Sequence, residues 1–293
     1  MVARYSTGNR RIDTELMNVI VAGLFSYPVK SFRACSRQSL TMGTDGLHND
    51  RRWMVVNQRG EFLSQRQLPK MATIGASLTN GYLQLELPSG ENRRVAVPDA
   101  AGETISVSVW QESCAAQSAD EDVNDWLSTF LGRVCRLVYL PVSSRRGVQG
   151  FAKQQVGFAD GYPLLLTSTA SLHELNQRLM KKGIDAVSMN RFRPNLVVEG
   201  DEALTPFAED GWASLTINGI RLVNAKPCGR CMVTTVDQQS GEKQPGREPL
   251  ATLSEFRTDS AGEVLFGINL VPEVSGTEPA RLSAGDRLQI QLR

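Results

Sequence analysis

Short segments that alternate apolar and polar residues, each closed off by a turn, recur along this chain and restrict it to few folds. YLQLEL at residues 82–87, RRVAVP at 93–98 and ISVSVW at 105–110 follow one another in this way. Period-two alternation is the mark of a strand with one buried face. A series of such strands separated by turn residues favours a barrel or sandwich over βαβ units. NVIVAGLF at 18–25 and RWMVVN at 52–57 read as earlier strands of the series. CRLVYL, LLLTS, NLVVEG, SLTING, IRLVNA, CMVTTVD (231–237) and DRLQIQL read as later ones.

Helical spacing interrupts the strands twice. Between Asp120 and Leu131 the apolar residues Val123, Trp126, Leu127, Phe130 and Leu131 recur with a helical period. From about Ser168 to Lys181, Leu172, Leu175 and Leu179 share one face. Ser168 or Thr169 is the expected N-cap there and Gly183 the terminator. ATLSEFR predicts a third, short helix. SSRRGVQGFAKQQVG at 143–157 is polar and Gly-rich and predicts a long exposed loop. The expected fold class is mainly β with α (α+β), divided into two lobes somewhere between residues 110 and 150.

Composition narrows the function classes. Lys and Arg number 32 against 31 Asp and Glu, so bulk charge does not call for nucleic acid or a membrane surface as partner. No apolar stretch is long enough to span a bilayer. The N-terminus MVARYSTGNRRIDTEL lacks the apolar core of a signal peptide, and the expected compartment is the cytoplasm, with residues 1–16 a tail. Five cysteines, an odd number in a chain of 293 residues, do not form the framework of a disulfide-stapled secreted domain.

The sharpest local feature is KPCGRC at 226–231, followed directly by MVTTVD. A structural zinc needs four ligands, and the only histidines are His48 and His173. A redox dithiol normally opens a helix, and Val233, Thr234, Thr235 and Val236 make a poor helix start. Two buried cysteines packed as small hydrophobes remain the plain reading. Against it, Lys226 and Arg230 flank the pair, and nearby cations stabilise the thiolate that ligates soft metals. Both readings stay open on the residues alone.

Four other segments carry candidate anion-binding or polar groups. In YPVKS (27–31) Pro28 turns the chain and leaves Lys30 and Ser31 at a strand end. In HNDRRW (48–53) Asp50 is placed to orient Arg51, whose planar fork suits phosphate. In NRFRPNLVV (190–198) Arg193 precedes Pro194, which predicts an extended backbone, and Asn195 offers an amide. In FADGYPLLL (158–166) Asp160 and Gly161 form a turn before an apolar strand. Taken singly, each also fits an ordinary surface lysine, surface ion pair, solvated arginine or turn former.

In combination, YPVKS, DRRWMVV, QRQLPKMA (65–72), FADGYPLLLTSTASL, FRPNLVV, KPCGRC-MVTTVD, REPLATLSEFR and FGINL resemble the MOSC-domain proteins of the amidoxime-reducing family. The resemblance runs from about Val19 to the C-terminus. It is closest to the bacterial members that carry a plant-type ferredoxin module after the MOSC domain. It implies an N-terminal β-rich MOSC-type lobe at 17–135 and a C-terminal MOSC β-barrel with peripheral helices at 136–293, with the site in the cleft between them. It further implies two-electron reduction of hydroxylamines, amidoximes and N-hydroxylated bases. The implied cofactor is a mononuclear molybdenum held by one pyranopterin dithiolene and one cysteine. That cysteine is Cys231, with Cys228 a neighbour without a ligand role.

By the same resemblance, Lys30, Ser31, Arg51, Arg193, Asn195 and Arg230 match cofactor contacts. Gly161, Tyr162 and Gly229 fall where main-chain contacts are made, and Asp160 matches an acid near the metal that would relay protons. The pterin phosphate gives Lys30, Arg51 and Arg193 a physical task. Pyridoxal phosphate binding is also associated with this domain type. No four-cysteine iron–sulfur pattern follows the last expected strand, so electrons are expected from a separate ferredoxin-like protein or flavoprotein reductase. The alternative is a carrier of sulfur as a persulfide on Cys231, or a protein that delivers the cofactor.

Overall fold

The alternating segments become curved sheets in the computed structural model of the chain, which describes residues 18–43, 46–99, 102–144, 146–273 and 280–293. The tail expected at 1–16 lies outside the described residues. The largest sheet has eight strands in the order Cys35–Arg37, Ile20–Ser26, Leu196–Glu199, Leu164–Ser168, Leu265–Glu273, Ile220–Gly229, Trp212–Ile217 and Gln289–Leu292. All neighbours are antiparallel except Leu164–Ser168 against Leu196–Glu199. The sheet curls back on itself. Val21 N donates to Asp286 O and Leu288 N to Val19 O, both at 2.9 Å, which ties the approach to the last strand onto the first. Curling pairs edges that would otherwise be left open.

Leu24, Leu166, Leu196, Leu222, Ile268 and Ile290 fill the concave side of this sheet. Full burial of each such side chain contributes about 1.5–3 kcal/mol. The helix α1, Glu121–Leu131, and the helix α2, Thr169–Lys181, occupy the positions that the periodicity predicts. α2 starts on Ser168, whose Oγ accepts the Ser171 N–H at 3.1 Å. It buries Leu175 and Leu179 against Phe192, Phe266 and Leu253. The short helix α3 spans Leu250–Ser254.

The intervening chain builds a four-stranded sheet, ordered Trp53–Val56, Arg136–Tyr139, Glu112–Ser118, Thr104–Val109, and a meander of Gly75–Thr79, Tyr82–Glu86 and Asn92–Ala96. Phe32, Trp53, Met71, Leu83, Leu85, Val123, Leu127 and Leu137 form their shared core with α1. No helix among the described residues is long and apolar enough to cross a membrane.

Two expected elements do not form, each because side-chain hydrogen bonds redirect the backbone. Residues 143–157 are not a long exposed loop. Gly147–Val148 pairs with Phe151–Gln155, and Arg146 is 4% exposed. Its Nη1 donates to Gly157 O at 2.7 Å and to Ala159 O at 2.8 Å, and its Nη2 to Glu112 at 2.9 Å, so a polar side chain anchors the segment from inside. CMVTTVD is not a strand either. Met232–Thr235 forms one 3₁₀ turn. Thr234 Oγ1 donates back to Cys231 O at 2.9 Å and Thr235 Oγ1 to Met232 O at 2.8 Å. Such local bonds compete with a strand ladder.

Candidate functional site

The turn after strand Ile20–Ser26 supplies the first wall. Lys30 N donates to Trp53 O at 2.8 Å, which fixes the backbone. Its Nζ donates to Phe158 O at 2.8 Å and to Asp160 Oδ1 at 2.5 Å. Lys30 is 6% exposed, so the ordinary surface lysine is ruled out. Burial draws its pKa down, and Asp160 opposes that shift.

Residues 50 and 51 supply the second wall. Arg51 N donates to Tyr27 O at 2.7 Å, and Phe158 N to Arg51 O at 2.6 Å. Gly157 makes this approach possible, since a Cβ there would stand 2.6 Å from Arg51 O. Asp50 is 8% exposed; its Oδ1 accepts the Tyr27 N–H at 2.7 Å while Oδ2 accepts from Arg51 Nη1. Burial pushes the Asp50 carboxyl above its ordinary value, with Arg51 opposing. The expected pairing is present, but inside the protein rather than at its surface.

Residues 193–195 supply the third. Arg193 is left-handed, at φ 56° and ψ 46°, not extended. It caps the 3₁₀ turn Met189–Phe192 through N–H to Asn190 O at 3.1 Å, and its Nη1 donates to Phe32 O at 2.8 Å. Those tertiary bonds override the preference imposed by Pro194. Asn195, fully buried, accepts from Arg51 Nη1 at 3.0 Å and donates to Phe25 O at 3.2 Å. Burial lowers the Arg193 guanidinium to about 10, still charged at neutral pH.

Tyr27 ties the second and third walls together. Arg51 Cζ and Arg193 Cζ lie 4.5 and 4.4 Å from its ring centroid. Its hydroxyl donates to Pro194 O at 2.9 Å, and burial pushes its pKa up to about 12 against the pull of Arg193 and Arg51.

The cysteine segment closes the site. Arg230 Nη1 donates to Cys228 Sγ at 3.0 Å and Nη2 to Phe192 O at 2.5 Å. Arg66 Nη2 donates to Cys231 Sγ at 3.1 Å. Arg230 Nε is buried and has no hydrogen-bond partner. All five cysteines are free thiols.

These walls enclose one cavity of about 490 Å³. Lys30, Ser31, Arg51, Asp160, Gly161, Tyr162, Arg193, Asn195, Gly229, Arg230 and Cys231 all line it. Six lining cations, Lys30, Arg51, Arg66, Arg193, Lys226 and Arg230, face two lining acids, Asp160 and Glu263. Lys30 pairs with Asp160, Lys226 stands 4.0 Å from Glu263, and Arg51 uses Asp50. Arg66, Arg193 and Arg230 have no carboxylate within bonding distance among the described residues. A cationic surplus of this kind, with an unpaired buried N–H and a thiol on its wall, suits an anionic ligand that also carries a soft atom. Ser31, Arg51, Trp110 and Arg193 all have positive φ, and such conformations concentrate where function over-determines the backbone.

Asp160 differs from the rest. Its side chain is 64% exposed to the open cavity. The enclosing walls still desolvate it, which alone would raise its pKa, but the Lys30 ammonium and the Trp110 indole hold the carboxyl well below the ordinary range.

Sequence reasoning assigned no role to Arg66, Trp110 or Tyr27. Arg66 lies in QRQLPKMA and Tyr27 in YPVKS, segments that stand out in the sequence for other residues. Trp110 ends ISVSVW, and an aromatic residue at a turn was its only signal.

The MOSC N-terminal beta barrel domain matches residues 18–151 and the MOSC domain residues 153–289. Mitochondrial amidoxime-reducing component 1 of Mus musculus is 32% identical over 260 residues, covering 84% of this chain and 74% of the relative. Its Homo sapiens counterpart is 33% identical over 278 residues, covering 88% and 80%. Molybdenum cofactor sulfurase of Oryza sativa subsp. japonica is 32% identical over 279 residues; the match covers 88% of this chain and 32% of that longer protein.

Proposed function

The chain belongs to the MOSC-domain family, and on that premise we propose that it binds a molybdenum–pyranopterin cofactor through Cys231 and reduces N-hydroxylated compounds. Hydroxylamines, amidoximes and N-hydroxylated bases are the substrate class, and a separate ferredoxin-like protein or flavoprotein reductase is the electron donor. One observation carries the reading: the Cys231 thiol shares its cavity with Arg193 and Arg230, guanidiniums that have no carboxylate partner among the described residues.

The donor set fits this group. Arg51, Arg193 and Lys30 would hold a pterin phosphate through charge-assisted hydrogen bonds. Arg230 Nε is a buried donor that an acceptor on the ligand would satisfy. Asn195 presents both amide functions to its neighbours. When bound, the molybdenum centre supplies two-electron redox chemistry.

The chain's own residues do the rest. Arg66 holds the Cys231 sulfur in place and tempers its electron donation through the hydrogen bond. Cleavage of an N–O bond consumes protons. Lys30 Nζ donates to Asp160 Oδ1, so the ionised carboxylate would pass to the substrate a proton received along that bond, and water entering the open cavity would return one to Lys30. With its carboxyl held low, Asp160 acts as acceptor and relay, and Lys30 as the proton store.

A second reading, a persulfide carrier or cofactor-delivery protein that uses Cys231, draws support from Cys228, which lines the same cavity and accepts from Arg230. Protein purified from a host able to make the cofactor separates the two. Stoichiometric molybdenum that is lost in Cys231→Ala and kept in Cys228→Ala, with hydroxylamine turnover under an artificial reductant, is the expected result. Metal without turnover moves the assignment to the carrier. No metal in the parent protein refutes the cofactor reading.

A further inference from the structure

Trp110 is the largest side chain at the cavity that the reductase reading leaves without a task. It stands at the tip of the hairpin of Thr104–Val109 and Glu112–Ser118, at φ +57°. Bulky residues rarely adopt this left-handed conformation. It is 52% exposed, and of the exposed large hydrophobic side chains among the described residues it alone lines the cavity. Water-facing indole in a strained turn is unfavourable unless something holds it there.

Site chemistry holds it. The indole Nε1 donates to Asp160 Oδ1 at 3.0 Å. The Arg66 guanidinium lies 4.7 Å from a ring centroid of Trp110, and Phe62 meets it edge-on at 5.1 Å. That same guanidinium donates to Cys231 Sγ. A single side chain therefore connects the indole to the sulfur.

Trp110 and Asp160 also stand at a junction. A second hollow, of about 470 Å³, shares both residues with the first and is otherwise lined by Val109, Gln111, Glu112 and Arg146. One space holds the thiol and the unpaired guanidiniums. The other has an aromatic face and the Glu112 carboxylate, whose side chain is 56% exposed.

We propose that the second hollow receives the organic body of the substrate, and that stacking on Trp110 makes the site prefer flat, conjugated N-hydroxylated compounds over aliphatic ones with the same N–O group. The inference rests on the reductase reading and adds a specificity-determining residue to it. Asp160 supplies the register. Both of its hydrogen bonds, from Lys30 and Trp110, fall on Oδ1, and among the described residues none falls on Oδ2. A substrate N–H beside the N–O group can bond to Oδ2, which leaves the N–O end in the space of Cys231 and the flat body against the indole. An aromatic body then gains offset-stacked or edge contacts, and a cationic amidine gains the ring face as well. A methyl group in the same place gains little.

The first test needs no cofactor. Benzamidine, a flat and unreactive amidine, is titrated against the protein while tryptophan emission is followed. Trp53 and Trp212 are 1% and 0% exposed, and comparison with Trp110→Phe isolates the response of Trp110. A saturable change that Trp110→Phe lacks is expected. The absence of any saturable change up to millimolar benzamidine would overturn the proposal. The second test uses the cofactor-loaded protein and compares kcat/KM for benzamidoxime with that for acetamidoxime. Trp110→Ala should lower the ratio about tenfold, chiefly through KM for the aromatic compound, the order expected of one aromatic contact. Trp110→Phe should keep most of it. A folded Trp110→Ala protein, checked by circular dichroism, whose ratio stays within about threefold of the parent rejects the assignment. Failure of the parent to reduce either compound counts against the reductase reading, and the fluorescence titration then judges Trp110 by itself.

Discussion

Arg66 donates to the sulfur of Cys231 across 3.1 Å, although 165 positions separate the two residues. The guanidinium has no carboxylate partner among the described residues and lies against the Trp110 ring instead. Its charge is thus directed at the thiol, and removing it leaves a cysteine with one donor fewer. Arg66→Ala is expected to lower molybdenum retention about 10–100-fold, the usual range for a partner that orients a metal ligand. Arg66→Lys should recover only part of this, because an ammonium lacks the planar fork. Metal content after gel filtration at fixed dilution measures the effect, and retention equal to the parent would refute it.

Two like charges, Arg51 and Arg193, both lie against the fully buried ring of Tyr27. Tyr27→Phe keeps the ring but leaves Pro194 O without its donor, at a cost of about 1–3 kcal/mol. Tyr27→Leu also removes both ring–guanidinium contacts and leaves a void, for a total of about 3–5 kcal/mol. Urea unfolding should rank the variants in that order. Equal midpoints for the two would show that the ring contributes nothing.

The Asp160 carboxyl is held low, and the sign of its contribution follows. Its folded pKa lies below the unfolded value of about 3.9, so its stabilisation is complete above that value and is lost as pH falls toward the folded one. Asp160→Asn cannot titrate. The difference in Tm between parent and Asp160→Asn should be flat from about pH 7 to pH 5 and should shrink below about pH 4. A difference that instead grows with acidification contradicts the assignment.

Glu209 shows the opposite sign. It is 0% exposed and accepts from Ser168 Oγ at 3.0 Å and Ser171 Oγ at 2.8 Å, beneath the start of α2. Burial raises its pKa and the hydroxyls only partly offset that. Its contribution is therefore most favourable below the unfolded value of about 4.3 and is lost as pH rises through the folded one. Glu209→Gln removes this loss. Its Tm relative to the parent should improve as pH rises above about 4.3, and a gap independent of pH would exclude a titrating Glu209.

The elements were readable from local pattern. Val123, Leu127 and Leu131 are buried along α1, and Leu175 and Leu179 along α2, as their spacing requires. Strands Tyr82–Glu86 and Thr104–Val109 occupy their alternating segments. Pattern failed where polar side chains bond to nearby or distant backbone. Thr234 and Thr235 turn a β-branched run into a 3₁₀ turn, and Arg146 draws a polar run inward. The site residues are legible only through the order of the motifs, because alone each also fits an ordinary surface side chain.

Local sequence by itself determined which segments are strands, which are helices, where Ser168 caps α2, and the family to which the motifs point. Those properties depend on side chains within a few positions of one another. Tertiary structure alone decided that Lys30 and Asp50 are buried, that Arg193 turns left-handed, and that Arg66 and Trp110 meet Cys231 and Asp160. Burial, charge balance and hydrogen-bond partnership at this cavity are set by segments more than a hundred residues apart, and no local periodicity carries that information.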